Sequence, residues 1–131
     1  MQHWFAIVLC VFGVFSSAIA VDAADRQKPL NDSVRAQLAR QGDNGKTPRE
    51  VDHFAYPDPF RKSAQRLVVK EWLEQNSFAK VESVNAGGLH FVRETAVAGQ
   101  GFDKLTQDLA DHLEKLGWEY DGWGTVAVTK D

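Results

Sequence analysis

The fold of this chain is decided near its end, where residues 102–125 read FDKLTQDLADHLEKLGWEYDGWGT. Leucines in this stretch recur at spacings of three and four, which predicts an amphipathic helix with one apolar face. Gly117 follows the last of them, at a position where a glycine commonly ends a helix. Aromatic residues then predict a last strand over residues 118–128.

Earlier segments complete an alternating pattern of strands and helices. We predict strands at 49–56, 78–84 and 89–97, and a helix from Pro59 to about Gln75 that Asp58 caps. From residue 49 the order is β-α-β-β-α-β, the ferredoxin-like split βαβ arrangement. The predicted class is therefore α+β, a ferredoxin-like sandwich with an extra N-terminal helix. Two helices would cover one face of a four-stranded antiparallel sheet, whose first strand lies between the third and the fourth.

The N-terminal segment differs from the rest of the chain in composition. Its first twenty residues hold no Asp, Glu, Lys or Arg, and they end in the A-x-A pattern of a signal peptide cleavage site. We predict a signal peptide over residues 1–20, cleaved after Ala20 or Ala23, then a flexible leader over 21–30 and a domain over 31–131. The protein would then be exported, to the periplasm or beyond. The alternative is an uncleaved inner-membrane anchor.

Composition excludes several functional classes. The single cysteine, Cys10, lies in the predicted signal, so a mature chain would have no disulfide, no cysteine nucleophile and no cysteine-bound zinc. The net charge of -3 gives no overall basic field that would favour nucleic acid. The sequence has neither a phosphate-binding loop nor a Ser/His/acid order typical of a hydrolase. These features do not favour nucleophilic catalysis, and we predict that the protein needs no cofactor and binds no nucleic acid.

Two groups of polar residues are candidate binding sites. Lys62, Arg66 and Lys70 are spaced by four on the predicted second helix, which favours either a surface for an acidic partner or an ordinary solvated face. His53, His90 and Asp121 would lie on neighbouring strands and have the side chains of a metal site, which would make the protein a small periplasmic metal-dependent binder or enzyme. Hydrogen-bonded sheet histidines are the alternative that we prefer, because no single element carries a pair of ligands.

Two stretches, GDNGKTPREVDHFAY and LGWEYDGWGT, resemble the RraB family, the regulators of ribonuclease E activity. The resemblance covers roughly residues 30–128 and implies a ferredoxin-like domain without enzymatic activity that binds and restrains ribonuclease E. An exported chain would not meet that cytoplasmic enzyme. Its partner would then be another protein, and ribonuclease E would be the partner only if the chain is not exported. The residues that match the family motif are Gly42, Asp43, His53, Tyr120, Asp121, Gly122, Trp123, Gly124 and Thr125.

The last strand has both a structural and a functional interpretation. Gly122 and Gly124 alternate with Trp123, which is typical of a β-bulge. We expect a kinked edge strand in which Trp123 packs against the first strand or the N-terminal helix. Asp121 would accept hydrogen bonds from backbone N–H groups in the bend, and the aromatic residues would not keep one parity. The functional alternative is an exposed partner-binding platform made of Tyr120, Asp121 and Trp123.

Overall fold

A computed structural model describes the backbone of residues 7–9 and all of residues 26–129. These residues form five strands and three helices, with a short 3₁₀ turn at Asn85–Gly87. The elements in chain order are β1 Ile7–Leu9, α1 Gln27–Arg40, β2 Arg49–Pro57, α2 Arg66–Gln75, β3 Ala79–Ser83, β4 Leu89–Thr95, α3 Gln100–Lys115 and β5 Trp118–Val126. No helix among the described residues has the length and apolar character to cross a membrane.

The strands form one antiparallel sheet in the order β1-β5-β2-β4-β3. The predicted α+β class with an antiparallel sheet is therefore confirmed, and β2 lies between β4 and β5 as the sequence predicted. β1 pairs with the end of β5 through residues Ile7 to Leu9. As long as residues 7–9 remain part of the chain, the prediction that β5 is an edge strand is wrong at residues 124–126. Other than these three residues, the predicted signal peptide lies outside the described residues.

The N-terminal helix begins earlier than predicted. α1 starts at Gln27, so part of the predicted leader is helical, while residues 21–25 lie outside the described residues. Pro29 is compatible with this start because the first turn of a helix has N–H groups without intrahelical partners. One such group is satisfied from another helix, since the N–H of Gln27 donates to the Gln107 side chain on α3 at 3.0 Å.

One face of the sheet carries the core. Val51, His53 and Ala55 alternate on β2 and all point to this face, as the period of a strand requires. The core has two parts, one beneath α2 and α3 and the other beneath α1 and α3. The first contains Ala55, Val69, Leu73, Phe78, Val81, Leu89, Phe91, Leu109, Leu113 and Trp118; the second contains Val34, Leu38, Val51, Val97, Phe102, Trp123 and Ala127.

The predicted start of the second helix is wrong. Asp58 does accept a backbone hydrogen bond, from Phe60 at 2.8 Å, but this closes only a local turn. α2 begins at Arg66, and the segment before it is a loop, which we call the 58–64 loop. The loop is held by the turn between α3 and β5. The N–H groups of Asp58 and Ala64 donate to the carbonyls of Gly117 and Leu116, at 2.9 and 2.7 Å. Tertiary hydrogen bonds therefore replace the helical ones that the local pattern predicted.

The shorter helix changes which apolar residues are buried. Val69 and Leu73 form the buried face of α2. Phe60, Leu67 and Val68 are 93%, 62% and 47% exposed. The loop and the first turn of α2 therefore present apolar side chains to solvent.

Candidate functional site

The family-like motif begins with a bulge in β5. His53 pairs with Trp123 and Ala55 pairs with Tyr120, so one intervening residue on β2, Phe54, faces two on β5, Asp121 and Gly122. Gly122 lies in this bulge with φ +99°, in the region that favours glycine. Because the bulge adds one residue to β5, the side chain of Trp123 after it points to the core face again. Tyr120 and Trp123 therefore both face the core despite their odd spacing, which confirms the predicted bulge and makes it the reason that these aromatic residues share a face.

Trp123 connects β5 to the first and third helices. Its side chain is fully buried, and its ring packs edge-on against Phe102 with 4.8 Å between centroids. The indole Nε1–H donates to Asn31 Oδ1 on α1 at 2.8 Å. The predicted packing of Trp123 against the N-terminal helix is confirmed. A ring in this position has no exposed surface to offer a partner.

Asn31 is a residue whose role the sequence did not reveal. It lies inside α1 and is fully buried. Its Nδ2 donates to Asp103 Oδ1 and to Thr106 Oγ1 on α3, both at 2.9 Å. Together with the bond from Trp123, these contacts satisfy both ends of a buried amide. In the sequence Asn31 lies three residues before Val34 and four before Arg35. Neither neighbour indicates that its side chain bonds to α3 and β5.

His53 and Tyr120 form a buried polar pair. His53 Nδ1 lies 2.7 Å from Tyr120 Oη, and the imidazole stacks on Phe91 with centroids 5.5 Å apart. Burial lowers the pKa of His53 to about 3, with smaller contributions from Arg93 and His90. Burial also raises the pKa of Tyr120 well above its ordinary value. Both groups are therefore neutral near pH 7, and Nε2 of His53 has no hydrogen-bond partner within the described part of the chain.

We expect this histidine to make the domain sensitive to acid. The pKa of His53 is about 3 in the folded state, well below its ordinary value of about 6.5. Between these two pH values the unfolded chain therefore binds a proton at His53 and the folded domain does not. Stability should therefore fall as the pH falls through 6.5, by about 2 kcal/mol between pH 7 and 5. Urea unfolding at several pH values measures this. His53→Phe should remove most of the slope and His90→Gln should keep it; an unchanged slope in His53→Phe would contradict the assignment.

Asp43 and Arg49 form a second buried polar group. Arg49 Nη1 and Nη2 each donate to one oxygen of Asp43 at 2.9 Å, and both side chains are buried. Asp43 also accepts from the N–H groups of Gly45 and Val128, at 2.8 and 2.9 Å. Burial by itself raises the pKa of Asp43, but the hydrogen bonds from Arg49 and these N–H groups outweigh it and lower the pKa. This carboxylate thus joins the loop after α1, the start of β2 and the residues after β5.

The candidate metal ligands do not come together. His53 points into the core, whereas His90 lies on the opposite face of the sheet, where its Nε2 is 2.7 Å from Asp52 Oδ1. The described residues contain no group of three His, Cys, Asp or Glu side chains arranged to hold a metal. The metal-site interpretation is therefore wrong in its geometry, because neighbouring strands carried the two histidines on opposite faces. His53 and His90 are both hydrogen-bonded histidines of the sheet, which is the alternative that we preferred.

Asp121 does not take the predicted role in the bend. Within residues 26–129 its carboxylate makes no hydrogen bond to a backbone N–H group, and burial, together with the charge of Glu119, raises its pKa. Gly122 provides the bend through its own conformation, so no side-chain acceptor is needed there. The expected capping by Asp121 is thus wrong.

The basic residues do not form one helical stripe. Lys62 lies in the 58–64 loop, Arg66 is the first residue of α2, and Lys70 lies one turn further, 4.0 Å from Glu74. Their predicted spacing on a single helix is wrong because that helix starts at Arg66. Lys62 and Arg66 are nevertheless both exposed.

A comparison with protein families finds a match that covers most of the described domain. The family model described as "Regulator of ribonuclease activity B" matches residues 29–125. The match runs from the first turn of α1 almost to the end of β5 and includes every motif residue discussed above. A search of the curated proteins finds no match.

Proposed function

The chain belongs to the family of regulators of ribonuclease activity B, and from this premise we propose that it is an exported, non-enzymatic domain that binds and regulates a protein partner. The match over most of the described domain is the observation that carries the regulatory, protein-binding part of the proposal. The internal contacts of the motif support it further. His53, Asp43 and Trp123 are engaged in the core, so a partner would be contacted through exposed side chains. The strand order supports a ferredoxin-like topology for the domain.

Export is supported by the sequence of the N-terminal segment. The absence of charged side chains from residues 1–20 and the small residues at 18, 20, 21 and 23 fit a cleaved signal peptide. A protein that has crossed the membrane is separated from a cytoplasmic ribonuclease. We therefore propose a partner outside the cytoplasm.

A second candidate function keeps the ribonuclease. The family description itself favours it, since it names regulation of a ribonuclease activity. In this alternative the N-terminal segment is not cleaved, and the domain faces the cytoplasm and inhibits ribonuclease E.

Cell fractionation combined with the intact mass of the purified protein separates the two candidates. We expect a species outside the cytoplasm that begins at Val21 or Ala24. Replacing Ala20 by Trp should block cleavage after residue 20, because that position accepts only small side chains. The replacement should either shift the cut to Ala23 or cause the precursor to accumulate, and Gln2→Asn serves as a neutral control. A full-length cytoplasmic or inner-membrane species would contradict export and support the ribonuclease alternative.

A further inference from the structure

Three exposed apolar side chains lie close together in the sequence. Phe60, Leu67 and Val68 are three of the four large apolar side chains that are exposed among the described residues, and all lie within residues 60–68. We call them, together with the basic residues Arg61, Lys62 and Arg66, the Phe60 surface. Single exposed apolar residues are normal on a protein, but a group of them beside charged residues is typical of an interaction site.

The loop that presents Phe60 is firmly held. Besides the two backbone bonds to Leu116 and Gly117, the indole N–H of Trp118 donates to the Ala64 carbonyl at 2.9 Å. Gly117 lies so close that a Cβ at this position would be 2.2 Å from the Lys62 carbonyl oxygen. The Asp58 side chain fixes the turn at Phe60 itself. Phe60 is thus exposed on an ordered backbone, and an ordered loop pays little conformational entropy when it binds.

The charge around Phe60 is opposite to that of the whole chain. Residues 58–70 contain four basic residues and one acid, whereas the chain has a net charge of -3. Arg61 approaches Glu114 only at 3.9 Å, and both side chains are about half exposed. Lys62 and Arg66 form no ion pair with any other described residue. The cluster is therefore available to an acidic group from outside the domain.

We propose that the Phe60 surface is the docking site for the protein partner, and that the partner contributes an acidic segment with apolar side chains. Phe60 is the apolar anchor, Leu67 and Val68 on the first turn of α2 add exposed apolar surface, and Lys62 and Arg66 pair with the carboxylates. Aromatic and arginine side chains are the types that most often dominate binding energy at interfaces. This inference rests on the proposed function, since it assumes that the domain acts by binding a protein.

Site-specific photo-crosslinking in cells tests the docking site. p-Benzoylphenylalanine is introduced at position 60, at position 54 on the outer face of the sheet, or at position 104 on α3, where the Lys104 side chain is 77% exposed. We expect an adduct with one protein from position 60 only. Mass spectrometry should map it to an acidic segment that also has apolar residues. The double reversal Lys62→Glu with Arg66→Glu should suppress the adduct, whereas the matched reversal Lys104→Glu should not.

Affinity for the captured partner, once purified, gives the second measurement. Phe60→Ala should weaken binding by at least about tenfold, as expected for an anchor residue. The melting temperature of the Phe60→Ala variant should equal that of the unchanged domain, because the Phe60 side chain is 93% exposed. A basic contact segment, an adduct with a second copy of this chain, or no effect of charge reversal would overturn the proposal. If positions 54 or 104 capture a protein and 60 does not, the docking site is wrong and the binding function stands. If no position captures a protein, both are wrong.

Discussion

Replacing Asp43 by Ala is expected to lower the free energy of unfolding by about 3–5 kcal/mol, the usual cost of removing one partner of a buried ion pair. The variant leaves the Arg49 guanidinium buried without its carboxylate. It also removes the acceptor for the N–H groups of Gly45 and Val128. The loop after α1 and the residues after β5 lose their shared contact at the same time. Chemical denaturation of the purified domain measures the change.

Two further variants make this prediction specific. Asp32→Ala removes an exposed carboxylate that also pairs with an arginine, Arg35, and should cost no more than about 1 kcal/mol. The double variant Asp43→Ala with Arg49→Met should recover part of the loss, because it no longer buries an unpaired charge. Equal costs for Asp43→Ala and Asp32→Ala would show that the buried pair has no special importance for stability.

Trp123→Ala should have an effect of similar size, about 3–5 kcal/mol, since truncation of a large buried aromatic ring leaves a cavity. The ring is fully buried between β5, α1 and α3, where it packs against Phe102. The variant also removes the donor to Asn31 Oδ1. We expect a lower midpoint of urea unfolding and weaker packing of α1 on the sheet.

Trp123→Phe separates the two contributions. It keeps an aromatic ring but has no N–H group, so the Asn31 oxygen stays buried without its donor. The cost should be smaller than that of Trp123→Ala, about 1–3 kcal/mol from the unsatisfied acceptor with a further cost from the lost volume. Val126→Ala, at a more exposed position on the same strand, should have little effect. If Trp123→Ala destabilised the domain no more than Val126→Ala, Trp123 would not be the residue that connects these elements.

Much of the fold was predictable because it depends on local patterns. The leucine period of α3 and its end at Gly117 are properties of adjacent residues, and so is the glycine pattern that marks the bulge in β5. The order of the four strands β2 to β5 followed from the sequence of elements, whereas the pairing of β1 with β5 did not. The start of α2 was not predictable in this way. Its local signals for a helix at Asp58 and Pro59 are overridden by hydrogen bonds to Leu116 and Gly117, more than fifty residues away in the chain.

The candidate site was predictable only in part for the same reason. Motif matching identified His53, Tyr120 and Asp43, but not the contacts that each one makes. The pairing of His53 with Tyr120 depends on the bulge, and that of Asp43 with Arg49 depends on how a loop folds back. Asn31 had no signal at all, since its partners come from two other elements. The exposure of Phe60 was missed because it follows from the shortened helix.

Gly117 determines where the backbone of the 58–64 loop lies, whereas the residues of the loop determine which side chains are exposed there. It ends α3 with φ +76°, and it lies where any side chain would displace the Lys62 carbonyl. Residues 60–66 set the chemistry of the exposed surface, whereas residue 117 sets the position of its backbone. Substitutions at these two places would therefore change partner selection and partner geometry independently. Partner selection and partner geometry can then be inherited, lost or engineered one at a time.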